Sequence, residues 1–205
     1  MATVTDAGGG AGGDPLGTVR TVIRVRRAVV DDAGELVRLR ALMLAAMSGR
    51  APRPGPWQDA AARTLVQRLA DPDGRWAAFV VDKQDRPTGL AACVVGVIES
   101  RLGGPDNPSG EVGYVFNVVT EPGYRRRGYS RAAMRALLDW YRERGIISVD
   151  LRASPPGEPL YRELGFAPTA ATAMRLASPA RHLAADRPPG PGPDRAPAPP
   201  GGVGR

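Results

Sequence analysis

The sequence contains very little cysteine and histidine, and this scarcity excludes several kinds of site. Among 205 residues the only cysteine is Cys93 and the only histidine is His182. A single cysteine cannot form a disulfide within the chain, so a disulfide-stapled fold is excluded and a reducing compartment is expected. Because Cys93 lies inside an apolar run, we expect it to be buried as a small hydrophobic residue and not to act as a nucleophile.

Lysine is nearly absent, although the chain is strongly basic. Lys83 is the only lysine among 28 basic residues, and the formal net charge is +7 with a pI near 10.4. This charge is compatible with an acidic partner such as a phosphorylated cofactor, nucleic acid or a membrane surface. The near-total use of arginine indicates instead a bias in coding composition. Aromatic residues that could stack on bases are sparse and no recognition-helix motif is present, so nucleic-acid binding is the weaker alternative.

Long apolar runs are also missing. No run approaches the ~20 residues that span a membrane, and the first residues lack the charged-then-apolar order of a secretion signal. We therefore expect a cytoplasmic protein with no membrane partner. The length fits one domain, predicted over residues 19–177, between disordered segments at 1–18 and 178–205. His182 belongs to the second segment, where no fold would hold it for catalysis.

Hydrophobic periodicity predicts a mixed α/β fold. Strand-like runs cover residues 22–25, 76–82, 88–99, 111–119 and 146–151, and a last extended segment runs from 166 to about 176. A first helical pattern begins after Asp31 or Asp32, either of which can cap it. Three further helical patterns cover residues 59–69, 130–144 and 159–164. The strand, helix and strand between 111 and 151 predict a right-handed parallel crossover.

A basic loop connects the strand and the helix of this crossover. It reads Glu121-Pro122-Gly123-Tyr124-Arg125-Arg126-Arg127-Gly128-Tyr129-Ser130-Arg131. A strand that turns through such a loop into a helix points backbone N–H groups and the positive end of the helix at one spot, which favours an anion such as phosphate. Glycine at position 128 permits close approach, and the arginines add charge. The alternative is a solvated basic turn before a surface helix.

This loop resembles the signature of the GNAT superfamily of acyl-CoA-dependent N-acyltransferases. The signature reads Arg or Gln, two variable residues, Gly, one variable residue, and Gly or Ala. It corresponds here to residues 125–130, with Ser130 departing from the last small position. A second stretch, Leu160-Tyr161-Arg162-Glu163-Leu164-Gly165-Phe166, resembles a late family segment. The resemblance covers residues 22–176 in element order, but only 117–166 in specific residues.

The resemblance implies a mixed, mostly antiparallel central sheet with flanking helices and a splayed strand pair that forms a cleft for acetyl-CoA. It further implies that the pantetheine arm pairs with the backbone of Val118, Val119 and Thr120. The residues expected around the pyrophosphate are Arg125, Arg126, Arg127, Gly128, Tyr129, Ser130 and Arg131. No residue is assigned to a metal.

Two side chains are candidates for the chemistry by resemblance. Tyr161 matches the tyrosine that protonates the departing thiolate, or it simply packs the short helix. Glu111 corresponds to a glutamate that acts as the base directly or through water, or it is an exposed charge at a strand end. Depending on register, the cleft or the opposite side of the sheet is faced by Asn117, Tyr114 and Ser154.

The resulting prediction is an acetyl-CoA-dependent N-acetyltransferase that moves an acetyl group to a primary amine by direct transfer in a ternary complex. A second reading keeps the fold without the chemistry, as a CoA-binding regulatory module. The resemblance is also compatible with a homodimer. The amine itself is not specified by the sequence.

Overall fold

The computed structural model describes residues 22–71 and 74–176. The predicted terminal segments at 1–18 and 178–205, with His182, lie outside the described residues. Backbone contacts divide the chain into residues 1–166 and 167–205. All helices and strands named below belong to the first unit, and the described part of the second, residues 167–176, contains neither.

The described residues form five strands and four α-helices. In chain order they are β1 (Arg26–Arg27), α1 (Ala33–Ser48), α2 (Pro56–Leu69), β2 (Trp76–Asp82), β3 (Leu90–Ser100), β4 (Glu111–Thr120), α3 (Tyr129–Glu143), β5 (Val149–Leu151) and α4 (Glu158–Glu163). Short 3-10 turns precede α1 at Val30–Asp32 and follow β4 at Pro122–Tyr124.

The strands form a single sheet in the order β1-β2-β3-β4-β5. Neighbouring strands are antiparallel except β4 and β5, which are parallel and are connected through α3. This confirms the predicted mixed, mostly antiparallel sheet with flanking helices and the parallel crossover. The apolar run predicted as a central strand is β3, and most of its residues are buried on both faces.

Two helix layers cover the two faces of this sheet. On one face, α3 and α4 pack over a cluster that includes Val94, Leu137 and Tyr161. On the other face, α1 packs over a cluster that includes Leu39 and Cys93. Adjacent residues of a strand point to opposite faces, which is why Val94 and Cys93 belong to different clusters. Cys93 is fully buried, as predicted.

Two predicted strands differ from the structure. The first strand is Arg26–Arg27 and not residues 22–25, because Arg26 pairs with Val80 and Arg27 with Phe79 of β2. The Arg26 guanidinium is also bound by Asp82 and Asp32, which ties this position to the sheet and to the start of α1. The predicted last extended segment forms no strand in the described residues up to 176, so the described sheet ends at β5. Among the described helices, none has the length and apolar character needed to cross a membrane.

Candidate active site

A gap in the sheet lies between β4 and β5. The two strands pair over only three residue pairs, from Gly113 with Val149 to Val115 with Leu151. After β5 the chain enters residues 152–156, which end in two prolines that have no N–H to donate. The second half of β4, residues 116–120, therefore has no strand partner on this side in the described part of the chain. Its free backbone groups can pair with the amides of an extended ligand.

A β-bulge at Asn117 shapes this free edge. The register between β3 and β4 shifts between Cys93 and Val95, and Asn117 has a φ of 54°. Asparagine is one of the few residues with a side chain that adopts this left-handed conformation readily. An extra residue in one strand reorients the side chains that follow it. Val118 packs against the cluster that contains Tyr161, whereas Val119 belongs to the cluster under α1.

The Asn117 side chain is the one buried polar side chain among the described residues, and it points to the α1 face. Its Nδ2 donates to Cys93 Sγ at 3.5 Å, and its Oδ1 accepts from Arg40 Nη1 at 3.4 Å. The Asn117 side chain therefore faces α1, on the opposite side of the sheet from Tyr161. Burial raises the pKa of the Cys93 thiol to about 12, so this sulfur stays protonated and is a poor nucleophile.

The predicted anion loop turns directly into α3. Arg126 and Gly128 have φ values of 63° and 80°, and α3 begins at Tyr129. The first helical hydrogen bond is donated by Ala132 to the Gly128 carbonyl at 3.0 Å. The N–H groups of residues 129–131 therefore have no acceptor within the helix and form, with the helix dipole, a site for phosphate oxygens.

The arginines of the loop differ in their contacts. Arg125 Nε donates to the Thr120 carbonyl at 3.4 Å, and Arg127 donates to the Gly123 carbonyl at 3.0 Å. Arg131 forms an ion pair with Glu163 of α4. Residues 125–128 are exposed. The arginines at 125–127 are thus placed at the surface of the loop, where they are accessible to an anion.

Charged residues that are distant from the loop in sequence bind its first residues and stabilise it. Glu121 accepts hydrogen bonds from Lys83 at 2.8 Å and from Arg38 at 3.0 Å. The Tyr124 hydroxyl donates to Asp85, and Lys83 and Arg127 each lie over the Tyr124 ring, with Nζ and Cζ at 5.7 and 5.1 Å from its centroid. These supporting contacts are not indicated by any local sequence pattern, although Lys83, as the only lysine of an arginine-rich chain, is a signal that could have pointed to one.

Tyr161 lies on α4, on the α3 side of the sheet. The residue is 9% exposed and packs edge-on against Phe166, with ring centroids 6.1 Å apart. Burial raises the pKa of its hydroxyl above the ordinary value near 10. Within the described residues the hydroxyl has no hydrogen-bond partner. A protonated, unengaged hydroxyl on a side chain whose cluster also packs against Val118 of β4 is suited to donate a proton to a leaving group.

Glu111 lies at the other end of β4. Its carboxylate forms an ion pair with Arg75 at 2.7 Å. In the sheet, Glu111 lies opposite Ser100 of β3. At about 3.3 Å per strand residue, the seven-residue separation from Val118 corresponds to roughly 23 Å. The structure brings Tyr161 and Val118 into one cluster but does not bring Glu111 to them.

Solved structures with the same architecture include N-acetyltransferases. A GCN5-related N-acetyltransferase from Ralstonia eutropha JMP134 is 26% identical with a TM-score of 0.64, over 77% of this chain and 100% of that chain. A predicted acetyltransferase with acetyl-CoA from Clostridium acetobutylicum is 23% identical with a TM-score of 0.65, over 76% of this chain and 96% of that one. Glucosamine-6-phosphate N-acetyltransferase from Arabidopsis thaliana is 15% identical with a TM-score of 0.60, over 77% and 99%. The last two share the fold alone.

The family follows from the sequence itself. Residues 40–166 match the model of the acetyltransferase (GNAT) family, which is more than half of the chain. This chain belongs to the acetyltransferase (GNAT) family, as the two motifs predicted. Among curated proteins, none matches the sequence.

Proposed function

We propose that this protein is an acetyl-CoA-dependent N-acetyltransferase that transfers the acetyl group directly to a primary amine in a ternary complex. The observation that carries the proposal is the buried Tyr161 side chain, whose cluster also packs against Val118 on the free edge of β4. Family membership and the acetyl-CoA named for the Clostridium acetobutylicum structure support the choice of donor.

The residues of the site fit this cofactor. The amides of residues 129–131 and the arginines at 125–127 would hold the pyrophosphate. The free backbone groups of Val118, Val119 and Thr120 would pair with the pantetheine amides. Bound acetyl-CoA supplies an acetyl thioester, whose carbonyl carbon is the electrophile. Since Cys93 is buried and protonated, no thiol on the described residues is available for a covalent acyl-enzyme.

Tyr161 and Glu111 have different support in this proposal. Tyr161 holds a proton at its hydroxyl in an apolar setting, as an acid for the leaving sulfur requires. Glu111 lies at the start of β4, far from Val118, so it could act as the base only if a chain of water molecules carried the proton to it. Glu111→Gln and Arg75→Gln distinguish the roles, because the first removes both the carboxylate and the ion pair, whereas the second removes the ion pair alone.

The separation of Glu111 from Tyr161 is also what favours the second candidate, a CoA-binding module without catalysis. The test uses the full chain in two measurements. Calorimetry measures CoA binding, and a thiol-release assay measures acetyl transfer to a broad panel of primary amines. Absence of CoA binding at millimolar concentration would contradict both candidates. Binding without transfer to any amine would favour the module. Homodimerisation stays a prediction that light scattering can check.

A further inference from the structure

Arg40 of α1 reaches across to the bulge of β4. Its Nη1 donates to Asn117 Oδ1 at 3.4 Å. Asn117 is the residue before Val118, so its backbone is one strand step, about 3.3 Å, from the backbone proposed to hold the cofactor. The guanidinium approaches from the α1 face, opposite the face of Tyr161. A positive charge therefore lies on the α1 face of the sheet, next to the residue that precedes Val118.

The charge of Arg40 is not balanced by a carboxylate. Two other partly buried arginines of this layer each bind two acids: Arg26 binds Asp32 and Asp82, and Arg38 binds Glu35 and Glu121. Arg40 forms no ion pair within the described residues, and the neutral Asn117 amide is its hydrogen-bond partner there. A partly buried cation whose partner is neutral gains most from an anion that arrives from outside.

The surroundings of Arg40 strengthen such an interaction. Phe116 packs edge-on against Trp76 at 5.2 Å and stacks with Tyr114 at 6.4 Å, so aromatic surface covers this part of β4. Apolar surroundings lower the local dielectric and make a charge pair stronger than in water. Residues 40–71 also contain more basic than acidic side chains, which favours the approach of an anion. The basic residues are Arg40, Arg50, Arg53, Arg63 and Arg68, and the acidic ones are Asp59 and Asp71.

We propose that Arg40 binds an oxyanion of the acceptor, so that the accepted amine carries a carboxylate or a phosphate. The proposal rests on the proposed function and names the substrate class of that site. One N–H of the guanidinium is used by Asn117, and the others form a fork that matches two oxygens of one anion. Asn117, held in turn by Cys93, fixes the orientation of that fork.

The test compares matched amines that differ in the anion. The pairs are ethanolamine with phosphoethanolamine, and β-alaninamide with β-alanine. For the unmodified protein we expect kcat/KM to favour the anionic member of at least one pair by about tenfold to a hundredfold. In Arg40→Gln this ratio falls toward one, and in Arg40→Lys part of it remains. Arg63→Gln is the control, since Arg63 is exposed on α2 and its loss removes the same charge.

Calorimetry of the anionic amines, with and without CoA, makes the result independent of turnover. Tighter binding of the anionic member that is lost in Arg40→Gln supports the proposal even if no acetyl transfer occurs. The proposal is overturned if neutral amines bind and react as well as anionic ones. It is equally overturned if Arg63→Gln lowers the ratio as much as Arg40→Gln. Failure of CoA to bind would count against the proposed function and leaves the calorimetric comparison to decide the role of Arg40.

Discussion

The hydroxyl oxygen of Thr120, the last residue of β4, lies 2.6 Å from that of Ser130, the second residue of α3. This hydrogen bond closes the loop at its two ends. Ser130 is also where the sequence departs from the Gly or Ala of the family motif. Its hydroxyl is engaged by Thr120, so the departure has a structural role that does not require a phosphate.

We expect Ser130→Ala to lower the free energy of unfolding by about 1 kcal/mol, the usual contribution of one hydrogen bond. The Kd for CoA should stay nearly unchanged, because the backbone amide of residue 130 is kept. Urea unfolding and calorimetry measure the two quantities. Thr120→Val and the double variant complete a cycle, and the effects should be less than additive because both changes break the same bond. A tenfold weaker Kd in Ser130→Ala alone would mean that the hydroxyl binds phosphate.

Gly128 and Gly123 provide a matched pair within the loop. Gly128 has a φ of 80°, and a Cβ there would lie 3.3 Å from Ile23 Cδ1, whereas a Cβ at Gly123 would meet nothing within 4 Å. Gly128→Ala should therefore cost roughly 1–2 kcal/mol of stability, because a side chain is strained in the left-handed region. It should also weaken CoA binding, since α3 starts at the next residue. Gly123→Ala should change neither, and equal effects of both would refute the role of φ at Gly128.

Local patterns made part of the fold predictable. The predicted bounds of β2 are those observed, and the helix predicted over 130–144 differs from α3 by one residue at each end. The loop before α3 and the helix that holds Tyr161 were found in the same way, from short stretches of sequence. In each case neighbouring residues supply the signal: apolar periodicity, a glycine or a proline at a helix end.

The parts that sequence reasoning missed depend on residues far apart. Arg40 and Asn117 are 77 positions apart, and Arg38 and Glu121 are 83 positions apart. The bulge at Asn117 arises from the pairing of β4 with β3, and one extra residue decides which face each side chain takes. No local pattern in β4 specifies that pairing. The same reason explains why the ion pair of Glu111 with Arg75 was not foreseen.

Two buried tyrosines can be compared directly, because Tyr161 is the proposed acid and Tyr141 has a structural role. Tyr161→Phe should lower kcat by about a hundredfold to ten-thousandfold while CoA affinity is kept, because it removes a proton donor and little packing. Tyr141→Phe is the control. The Tyr141 hydroxyl lies 3.1 and 3.0 Å from the carbonyl oxygens of Val97 and Tyr114, which share its one proton, so its loss should cost about 1–3 kcal/mol of stability without a comparable loss of kcat.

These outcomes are read from steady-state kinetics and urea unfolding on the same preparations. Because burial raises the pKa of Tyr161, the donor should stay protonated, and kcat should not fall between pH 7 and the ordinary tyrosine pKa of about 10 through loss of this proton. A kcat of Tyr161→Phe equal to that of the unmodified protein would remove Tyr161 from the chemistry.

The support beneath the loop should make stability depend on pH through Glu121. Burial disfavours its charged form, but hydrogen bonds from Lys83 and Arg38 outweigh this and lower the pKa of Glu121 below its ordinary value. A carboxyl whose pKa is lowered on folding stabilises the protein above its unfolded pKa of about 4.3, and that contribution is lost as the pH falls through the folded value. The contribution is therefore fully present at pH 7.

Glu121→Gln should accordingly lower the free energy of unfolding by about 1–3 kcal/mol at pH 7, since it leaves Lys83 and Arg38 without their shared acid. The difference from the unmodified protein should shrink as the pH is lowered from 5 to 3, because protonation then removes the same charge in both. Glu158→Gln is the control: its partner Arg162 lies one turn away on the exposed side of α4, and such a pair contributes only about 0.2–0.5 kcal/mol. Chemical unfolding at each pH gives the comparison. A difference that stays constant across this range would show that the Glu121 charge does not hold the loop.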